Sequence, residues 1–327
     1  MCNKYPNKKK RRGFWKRYER ANIKDYRKVW DFCIEFIDKD EIPFVFSNIG
    51  RKPNLSRKEY VCMSILHAYF DLDFRETEQL VKILSEKQLD HTNCVRWFGR
   101  LNAEYINNLV FEIHKKIIGI DNAGDYIADS TQLTCDRLEE QTIVDEDEYH
   151  HITLKFHILA QYIFTLGLVS IVSVFASNKE ANDSPPLRNN LLHEEKICRD
   201  KRVHADKGYF GKENIKRCKK LKLKPNIVPK ERDYSDAYLK RYIRNDYDTE
   251  SRKANRGLIE GIFGGLETET GMKVRCRKPE HRNIFLSLLA LKHNLRAYFR
   301  ATALRISIYF APTPLYLKER KLYSSVL

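Results

Sequence analysis

Apolar side chains recur every three or four residues through the first third of the chain, a spacing typical of amphipathic helices. Two of the predicted helix starts pair a Ser or Asp with a Glu three residues later. In such a capping box, two side chains satisfy free amides of the first turn. The two capping boxes are Ser56 with Glu59 and Asp73 with Glu76. The predicted helices cover 22–38, begin at Ser56, Asp73 and Thr92, and finish with 103–118.

Beyond residue 121 the pattern changes to short apolar runs separated by glycine, proline and charged residues, which is typical of buried strands. Strands are predicted at 126–133, 152–160, 164–176, 203–205 and 225–229. Helices are predicted from Ser184 to about Arg199, from Lys212, around 256–260 and over 279–303. Because three consecutive strands precede strand–helix units, the pattern predicts an α/β fold with a mixed five-stranded sheet flanked by helices.

These changes of pattern divide the chain into four segments. The prediction is a basic disordered tail at 1–20, a helical domain at 21–121, an α/β domain at 122–303 and a C-terminal extension at 304–327. No role is predicted for the C-terminal extension.

The chain shows no sign of a membrane or secretory location. The most apolar stretch, 158–176, is interrupted by polar residues and by Gly167, so it fits two buried strands better than a membrane helix. No apolar run follows the basic N-terminus, so no signal peptide is predicted. The eight cysteines stand singly, which argues against a zinc finger or a disulfide framework. A cytoplasmic location is expected.

The balance of charge favours a polyanionic partner. Lys and Arg number 60 against 44 Asp and Glu, a net charge of +16. Nucleic acid is the commonest polyanion, although a merely soluble basic protein would show the same balance. The helix predicted from Thr92 places Arg96 and Arg100 one turn apart, as in a helix-turn-helix bundle whose third helix enters a major groove. An ordinary bundle with solvated arginines is the alternative.

Three acids are candidates for a shared site. Asp206 follows the strand at 203–205, where α/β sheets bind ligands, and Asp129 is predicted on the central strand beside it. Glu260 is predicted on a helix that crosses the open end of these strands. Clustered carboxylates hold Mg²⁺ or Mn²⁺, and two such ions about 3.5–4 Å apart can activate a nucleophile and stabilise a leaving oxygen.

Each acid also has a structural alternative. Asp206 could cap a helix, Asp129 could be a turn residue, and Glu260 could be a solvated helix acid. Glu267 and Glu269 are rival third acids, but Gly264 and Gly265 are expected to loosen the helix before them. Two further residues, Lys155 and His157 on the second strand, could approach the site.

The motifs around these acids resemble those of the DDE transposases of prokaryotic insertion sequences. The resemblance covers roughly 125–300, and the helical segment 55–101 is similar to the DNA-binding region of such proteins. The matching motifs are Asp129-Ser130-Thr131, Ala205-Asp206-Lys207-Gly208-Tyr209 and Arg256-x-x-x-Glu260-x-x-Phe263. The resemblance implies an RNase H-like catalytic domain in which Asp129, Asp206 and Glu260 are the catalytic acids and bind two Mg²⁺ or Mn²⁺ ions.

The resemblance also implies the partners and the location. Expected partners are double-stranded DNA, as terminal inverted repeats and target DNA, and a second copy of the chain in the DNA complex. The protein is therefore expected in the cytoplasm, in association with the nucleoid. The candidate DNA-binding residues are Arg96, Arg100, Arg256, Lys273, Arg275, Arg277 and Lys278. For Arg256 the alternative is an ion pair with Glu260 one turn away, and for the basic run at 273–278 it is a solvated face.

The sequence departs from two related groups. One group carries Tyr three residues before the Arg and Lys seven after the Glu, where this chain has Lys253 and Glu267. Another has Arg directly after the Glu, where this chain has Gly261. How the transposon end is handled is therefore not predicted. Two alternatives stay open: an RNase H-like nuclease or resolvase without joining activity, and a non-catalytic DNA-binding protein derived from a transposase.

Overall fold

The computed structural model describes the chain over 25–46, 52–119, 123–135, 153–163, 168–178, 182–230, 236–270, 273–274, 276 and 278–310. Predictions for the basic tail at 1–20, for Arg275 and Arg277, and for the end of the C-terminal extension lie outside these residues.

The N-terminal part is helical, and both predicted capping boxes are confirmed. The backbone N–H of Ser56 donates to Glu59 Oε2 at 2.6 Å, and that of Glu59 donates to Ser56 Oγ at 3.3 Å. Asp73 and Glu76 make the same reciprocal pair. The helices are α1 (Tyr26–Phe36), α2 (Arg57–Tyr69), α3 (Phe74–Ser85), α4 (His91–Phe98) and α5 (Ala103–Ile118).

Helix α4 differs from the prediction at both ends. It begins at His91, because the Asp90 carboxylate accepts a hydrogen bond from the backbone N–H of Thr92 at 2.8 Å and so caps the first turn. It ends at Phe98, and the guanidinium of Arg100 lies 4.3 Å from the ring centroid of Trp97. Arg100 therefore stands beyond the helix, and the expectation that one helix displays Arg96 and Arg100 a turn apart is wrong.

The sheet has the predicted mixed topology. Its strands are β1 (Ala123–Cys135), β2 (Thr153–Ile163), β3 (Leu168–Asn178), β4 (Arg202–Ala205) and β5 (Lys224–Ile227), in the spatial order β3-β2-β1-β4-β5. A two-residue strand, β6 (Lys273–Val274), also pairs with β1. The β1–β2 and β2–β3 pairs are antiparallel, whereas β4 runs parallel to both β1 and β5. This is the RNase H-like α/β arrangement, with β1 central.

The helices of the second half are α6 (Lys212–Lys220), α7 (Ala237–Asn245), α8 (Thr249–Thr270) and α9 (Pro279–Phe310). Helix α7 falls in a segment for which no helix is predicted. It is fixed by the buried Tyr242, whose hydroxyl accepts from the backbone N–H of Ile227 and donates to its carbonyl. Helix α8 continues through Gly264 and Gly265 to Thr270, so the expected loosening at this glycine pair is wrong.

A single helix from Ser184 to Arg199 is also wrong. The chain instead makes short helical turns at Ser184–Pro186, Leu187–Leu191 and Glu194–Lys196. Tertiary hydrogen bonds compete for the carbonyls in between: Ser173 Oγ donates to Leu191 O at 2.8 Å, and Arg217 Nη2 donates to Leu192 O at 2.7 Å. Local pattern cannot show such competitors.

Two hydrophobic clusters cover the two faces of the sheet. The larger cluster joins the N-terminal helices, α5, α8 and α9 to the face that carries Leu133 and Ile158. The smaller cluster packs α6 and α7 against the face that carries Ala128 and Ala205. Because the N-terminal helices share a core with the sheet, a boundary near residue 121 stays a prediction.

Candidate active site

The parallel pairing of β1 and β4 aligns two of the predicted acids. Ala128 of β1 is the register partner of Ala205 of β4, and this is the last such pair between these strands. Asp129 is the next residue of β1, and Asp206, still in extended backbone, directly follows the end of β4, so the two acids come after this pair at the same level. The sequence prediction of two acids on neighbouring strands agrees with this register.

The same register also decides the face on which each acid lies. Side chains alternate between the two faces of a sheet. Ala128 and Ala205 belong to the smaller cluster, so Asp129 and Asp206 lie on the opposite face. Ile158, the register partner of Asp129, belongs to the larger cluster, which confirms that assignment. Both acids therefore lie on the face that α8 covers.

Glu260 lies on α8, and α8 packs on that same face. Ile262 and Leu266 are buried in the larger cluster together with Leu133, on the same strand as Asp129. Helix α8 contacts β1 directly. Glu260 itself is exposed at the helix surface. Helix α8 thus packs against the strand that carries Asp129, and Asp206 directly follows the neighbouring strand.

Hydrogen bonds join the start of α8 to β4 and β5. Asp248, just before the helix, accepts a hydrogen bond from Arg202 Nη1 at 2.8 Å. Its backbone N–H donates to Asn226 Oδ1 at 2.9 Å, and its carboxylate accepts from the backbone N–H of Ser251 at 3.0 Å. These bonds fix where the helix begins and hence where Glu260, three turns further on, falls over the sheet.

The structural alternatives for the first two acids are not observed. Asp129 lies inside β1, paired with Ile158, and is not a turn residue. One carboxylate oxygen of Asp129 accepts from the backbone N–H of Ser130 at 2.8 Å. Asp206 precedes a short helical turn, Lys207–Tyr209, but makes no capping hydrogen bond to it. The half-buried Asp206 carboxylate therefore has no capping role.

A polar network lies on the other face, directly behind these acids. Tyr209 is buried, and its hydroxyl is hydrogen-bonded to His157 Nδ1 at 3.1 Å. His157 Nε2 is hydrogen-bonded to Ser177 Oγ at 2.8 Å. Asp183 accepts hydrogen bonds through one oxygen from Lys155 Nζ at 3.2 Å and Ser130 Oγ at 3.3 Å. Lys155 and His157 therefore belong to this network, on the face opposite to Asp129 and Asp206.

Burial sets the protonation of this network. Desolvation lowers the pKa of His157 to about 4, with the Asp183 carboxylate opposing the shift and Lys155 adding to it. His157 is therefore neutral near pH 7. Desolvation also raises the pKa of Tyr209 well above its usual range, and the negative charges of Asp129, Asp183 and Asp206 add to that shift.

Sequence reasoning missed Asp183. Its position before Ser184-Pro185-Pro186 suggests a helix cap, yet its side chain makes no capping hydrogen bond to that turn. The only local signal would have been an acid placed shortly after the third strand, and such acids are common. The contacts of Asp183 with β1 and β2 exist only in the folded sheet.

The candidate DNA-binding residues occupy different elements. Arg96, Arg100 and Lys278 are exposed. Arg96 and Arg100 line a groove of about 500 Å³ together with Lys52 and Asn93. The side chains of Arg256, on α8, and Lys273, on β6, lie outside the described part of the structure, as do Arg275 and Arg277.

A compact group of metal-ligand atoms occurs elsewhere in the described residues. Ligand atoms of Glu78, Asp90 and His91 all lie within 4.8 Å of one another, a spacing that the predicted triad does not meet. Glu78 there is already engaged by Lys82 Nζ at 2.6 Å and by the backbone N–H of His91 at 2.8 Å, so this group is a helix-capping network. The ligands of a site for two ions about 3.5–4 Å apart lie farther from one another than the ligands of a site for one ion.

Comparison with known proteins gives the family. The model of the transposase DDE domain family matches residues 125–295, more than half of the 327-residue chain. The chain therefore belongs to the DDE transposase family, and the resemblance of its motifs to that family is confirmed. No curated protein matches the chain.

Among solved structures, a piggyBac transposase synaptic complex with hairpin DNA matches with 10% identity. That match covers 92% of this chain and 85% of the other, at a TM-score of 0.37. Such a likeness is too weak to carry an argument about this chain. Among the described residues, no helix has both the length and the apolar character needed to cross a bilayer.

Proposed function

We propose that this chain is a DDE transposase that cleaves DNA at the ends of a mobile element and joins the freed 3′-hydroxyl to target DNA. The observation that carries the proposal is the shared level and shared face of Asp129 and Asp206, which follow the register pair Ala128 and Ala205. Helix α8, which bears Glu260, packs on that face. The family match supports the same chemistry.

The donor set suits hard divalent cations. Asp129, Asp206 and Glu260 offer only carboxylate oxygens, the ligands that Mg²⁺ and Mn²⁺ prefer. Two such ions, when bound, would lower the pKa of an attacking water or 3′-hydroxyl and stabilise the leaving oxygen. Without cations, three carboxylates brought together would repel one another. The chain's own part is to hold these oxygens at one rim of the sheet.

Basic side chains would bind the DNA backbone. The net charge of +16 favours a polyanionic substrate. The groove lined by Lys52, Arg96 and Arg100 suits phosphate contacts better than base stacking. Trp97, which lines this groove with Tyr60, is buried and already engaged: its ring stacks on Tyr60 at 4.5 Å between centroids, and the Arg100 guanidinium lies 4.3 Å from its centroid. Terminal repeats and target DNA are the proposed ligands.

Strand transfer in vitro tests the proposal. Full-length protein would be incubated with Mg²⁺ or Mn²⁺, a supercoiled target plasmid and a duplex carrying an inverted repeat that flanks the gene. The expected products are 3′-hydroxyl ends and then joined strands, both lost with EDTA. Changes near metal ligands cost 10–100-fold, so Asp206→Asn, which alters a ligand, should reduce both steps by more than about 100-fold. Undiminished activity of Asp206→Asn would reject the site.

The products also separate the alternatives. Cut ends without joined strands would mean a nuclease or resolvase. Binding that needs no divalent ion, with no cleavage, would mean a non-catalytic DNA-binding protein. Paired ends require two cuts, so we propose a homodimer in the DNA complex. Light scattering of the protein alone and of its complex with DNA would give the number of copies in each.

A further inference from the structure

Asp183 lies on the face of the sheet opposite to Asp129 and Asp206. One of its oxygens, Oδ1, accepts from Ser130 Oγ at 3.3 Å and from Lys155 Nζ at 3.2 Å. Both donors belong to the central strands β1 and β2. Ser130 directly follows Asp129, so Asp183 holds the residue beside the first predicted acid.

The second oxygen of Asp183 lies against the turn that follows the other predicted acid. A Cβ at Gly208 would stand 2.8 Å from Asp183 Oδ2, closer than real Cβ contacts come. The φ angle of Gly208 is outside the left-handed region, so its backbone could accept alanine. A side chain at Gly208 would therefore displace the Asp183 carboxylate without straining the backbone.

The same turn is also held through Tyr209. Its hydroxyl contacts the side chain of Ser130 and is bonded to His157 Nδ1 at 3.1 Å. Its carbonyl accepts from Asn214 Nδ2 at 2.7 Å. Ser130 therefore links both Asp183 and the turn after Asp206 to the strand that carries Asp129.

The geometry points to Asp183 as a positioning residue, which fixes Ser130 and the turn at 207–209 and so sets the spacing of Asp129 and Asp206. The inference rests on the proposed function, because that spacing matters only if the two acids act together. The Asp183 carboxylate is matched by Lys155 on its own face of the sheet, so it is assigned no metal. A displacement of about 1 Å in a catalytic group can cost about 100-fold in rate.

Asp183→Asn tests this with little change of shape. It removes the charge that Lys155 and Ser130 contact. Turnover of DNA cleavage at saturating Mg²⁺ should fall about 10- to 100-fold. The DNA Kd without divalent ion and the thermal midpoint should stay near wild type. A fall in DNA affinity that accounts for the whole loss, or an unchanged turnover, would overturn the inference.

A matched control is Asp246→Asn. Asp246 also pairs its carboxylate with a lysine, Lys219, at 2.6 Å, but at the end of α7. This control should keep wild-type turnover. If it loses as much turnover as Asp183→Asn, the loss reflects any broken Asp–Lys pair, and the inference fails.

A double-mutant cycle tests the contact itself, and its first member, Gly208→Ala, keeps the Asp183 carboxylate and can be measured even if Asp183→Asn folds poorly. Gly208→Ala introduces the clash with Asp183 and should reduce turnover about 10-fold in the otherwise wild-type protein. In an Asp183→Ala background the clashing oxygen is gone, so the same change should cost less than about twofold. Equal costs in both backgrounds would show that Asp183 does not act on this turn.

The proposed function and the positioning role of Asp183 are overturned by different results. If wild-type protein shows no divalent-dependent cleavage, the proposed function fails and the inference fails with it. Wild-type cleavage combined with an Asp183→Asn turnover that equals wild type overturns the positioning role alone.

Discussion

Glu260 and Glu267 lie two turns apart on α8, a single helix that runs unbroken through Gly264 and Gly265. Seven residues span close to two full turns, so both positions lie on one side of the helix. The glycine pair therefore gives no reason to prefer Glu260. The preference rests on the family-like motif, in which Arg256 stands one turn before the acid.

Matched amide variants separate these two glutamates. Glu260→Gln should reduce divalent-dependent DNA cleavage by more than about 100-fold, because it removes a proposed ligand. Glu267→Gln should retain cleavage within a few-fold. Both should bind DNA like wild type in a gel-shift assay without metal. The reverse order of activities would identify Glu267, and not Glu260, as the third acid.

Asn294 should contribute strongly to stability. Its side-chain amide donates to Ile171 O and accepts from Ile171 N, both at 2.7 Å, and donates to Val110 O at 2.9 Å. These bonds join α9, α5 and the edge strand β3. Asn294→Ala leaves these buried backbone groups unpaired and should lower the free energy of unfolding by about 2–4 kcal/mol, measured by urea denaturation.

Asn107 offers the comparison for Asn294. It makes the same two-bond contact with Val174 of β3, at 3.2 Å for each bond, but is half-buried. Because water can replace its bonds, Asn107→Ala should cost only about 1 kcal/mol. A larger loss in Asn107→Ala than in Asn294→Ala would contradict the ranking by burial.

Stability should fall as the solution is acidified below neutral pH. Desolvation in the core lowers the pKa of His114 to about 4 from an ordinary value of 6.5, and that of His67 likewise. Below pH 6.5 the unfolded chain takes up protons that the folded chain does not, so folding weakens until about pH 4, where the folded form also protonates. Well above pH 6.5 these histidines are neutral in both the folded and the unfolded chain, so they no longer lower the free energy of unfolding.

The size of this effect can be assigned to one residue. A single such histidine contributes at most about 1.4 kcal/mol per pH unit. His114→Gln should reduce the slope of the unfolding free energy between pH 6 and pH 5 by about that amount, measured with urea at each pH. An unaltered slope would mean that His114 ionises normally in the folded protein.

The exposed arginines should govern DNA affinity through salt. Arg96→Ala and Arg100→Ala should each weaken binding to duplex DNA and reduce the log–log salt slope by about 0.9. Arg100→Lys keeps the charge but loses much of the stacking on Trp97, so its salt slope should stay near wild type. Lys240→Ala, exposed on α7, is the control. Equal salt slopes for all variants would show that the groove is not part of the DNA interface.

The sequence by itself determined features that depend on neighbours within a few positions. The capping boxes at Ser56 and Asp73 and the extent of α5 match the structure, because a helix start or face is set by residues three or four apart. Alternation and strand order likewise predicted Asp129 on the central strand and Asp206 directly after the strand beside it.

Only the tertiary structure decided the features that depend on distant partners. Tyr242 finds its hydrogen bonds on Ile227, and the helical turns after Ser184 are interrupted by donors from β3 and α6. Asp183 is adjacent to a predicted helix start, yet it bonds to strands far away in the chain. Hydrogen-bond partners of this kind are brought together by the closing of the sheet, so no local spacing encodes them.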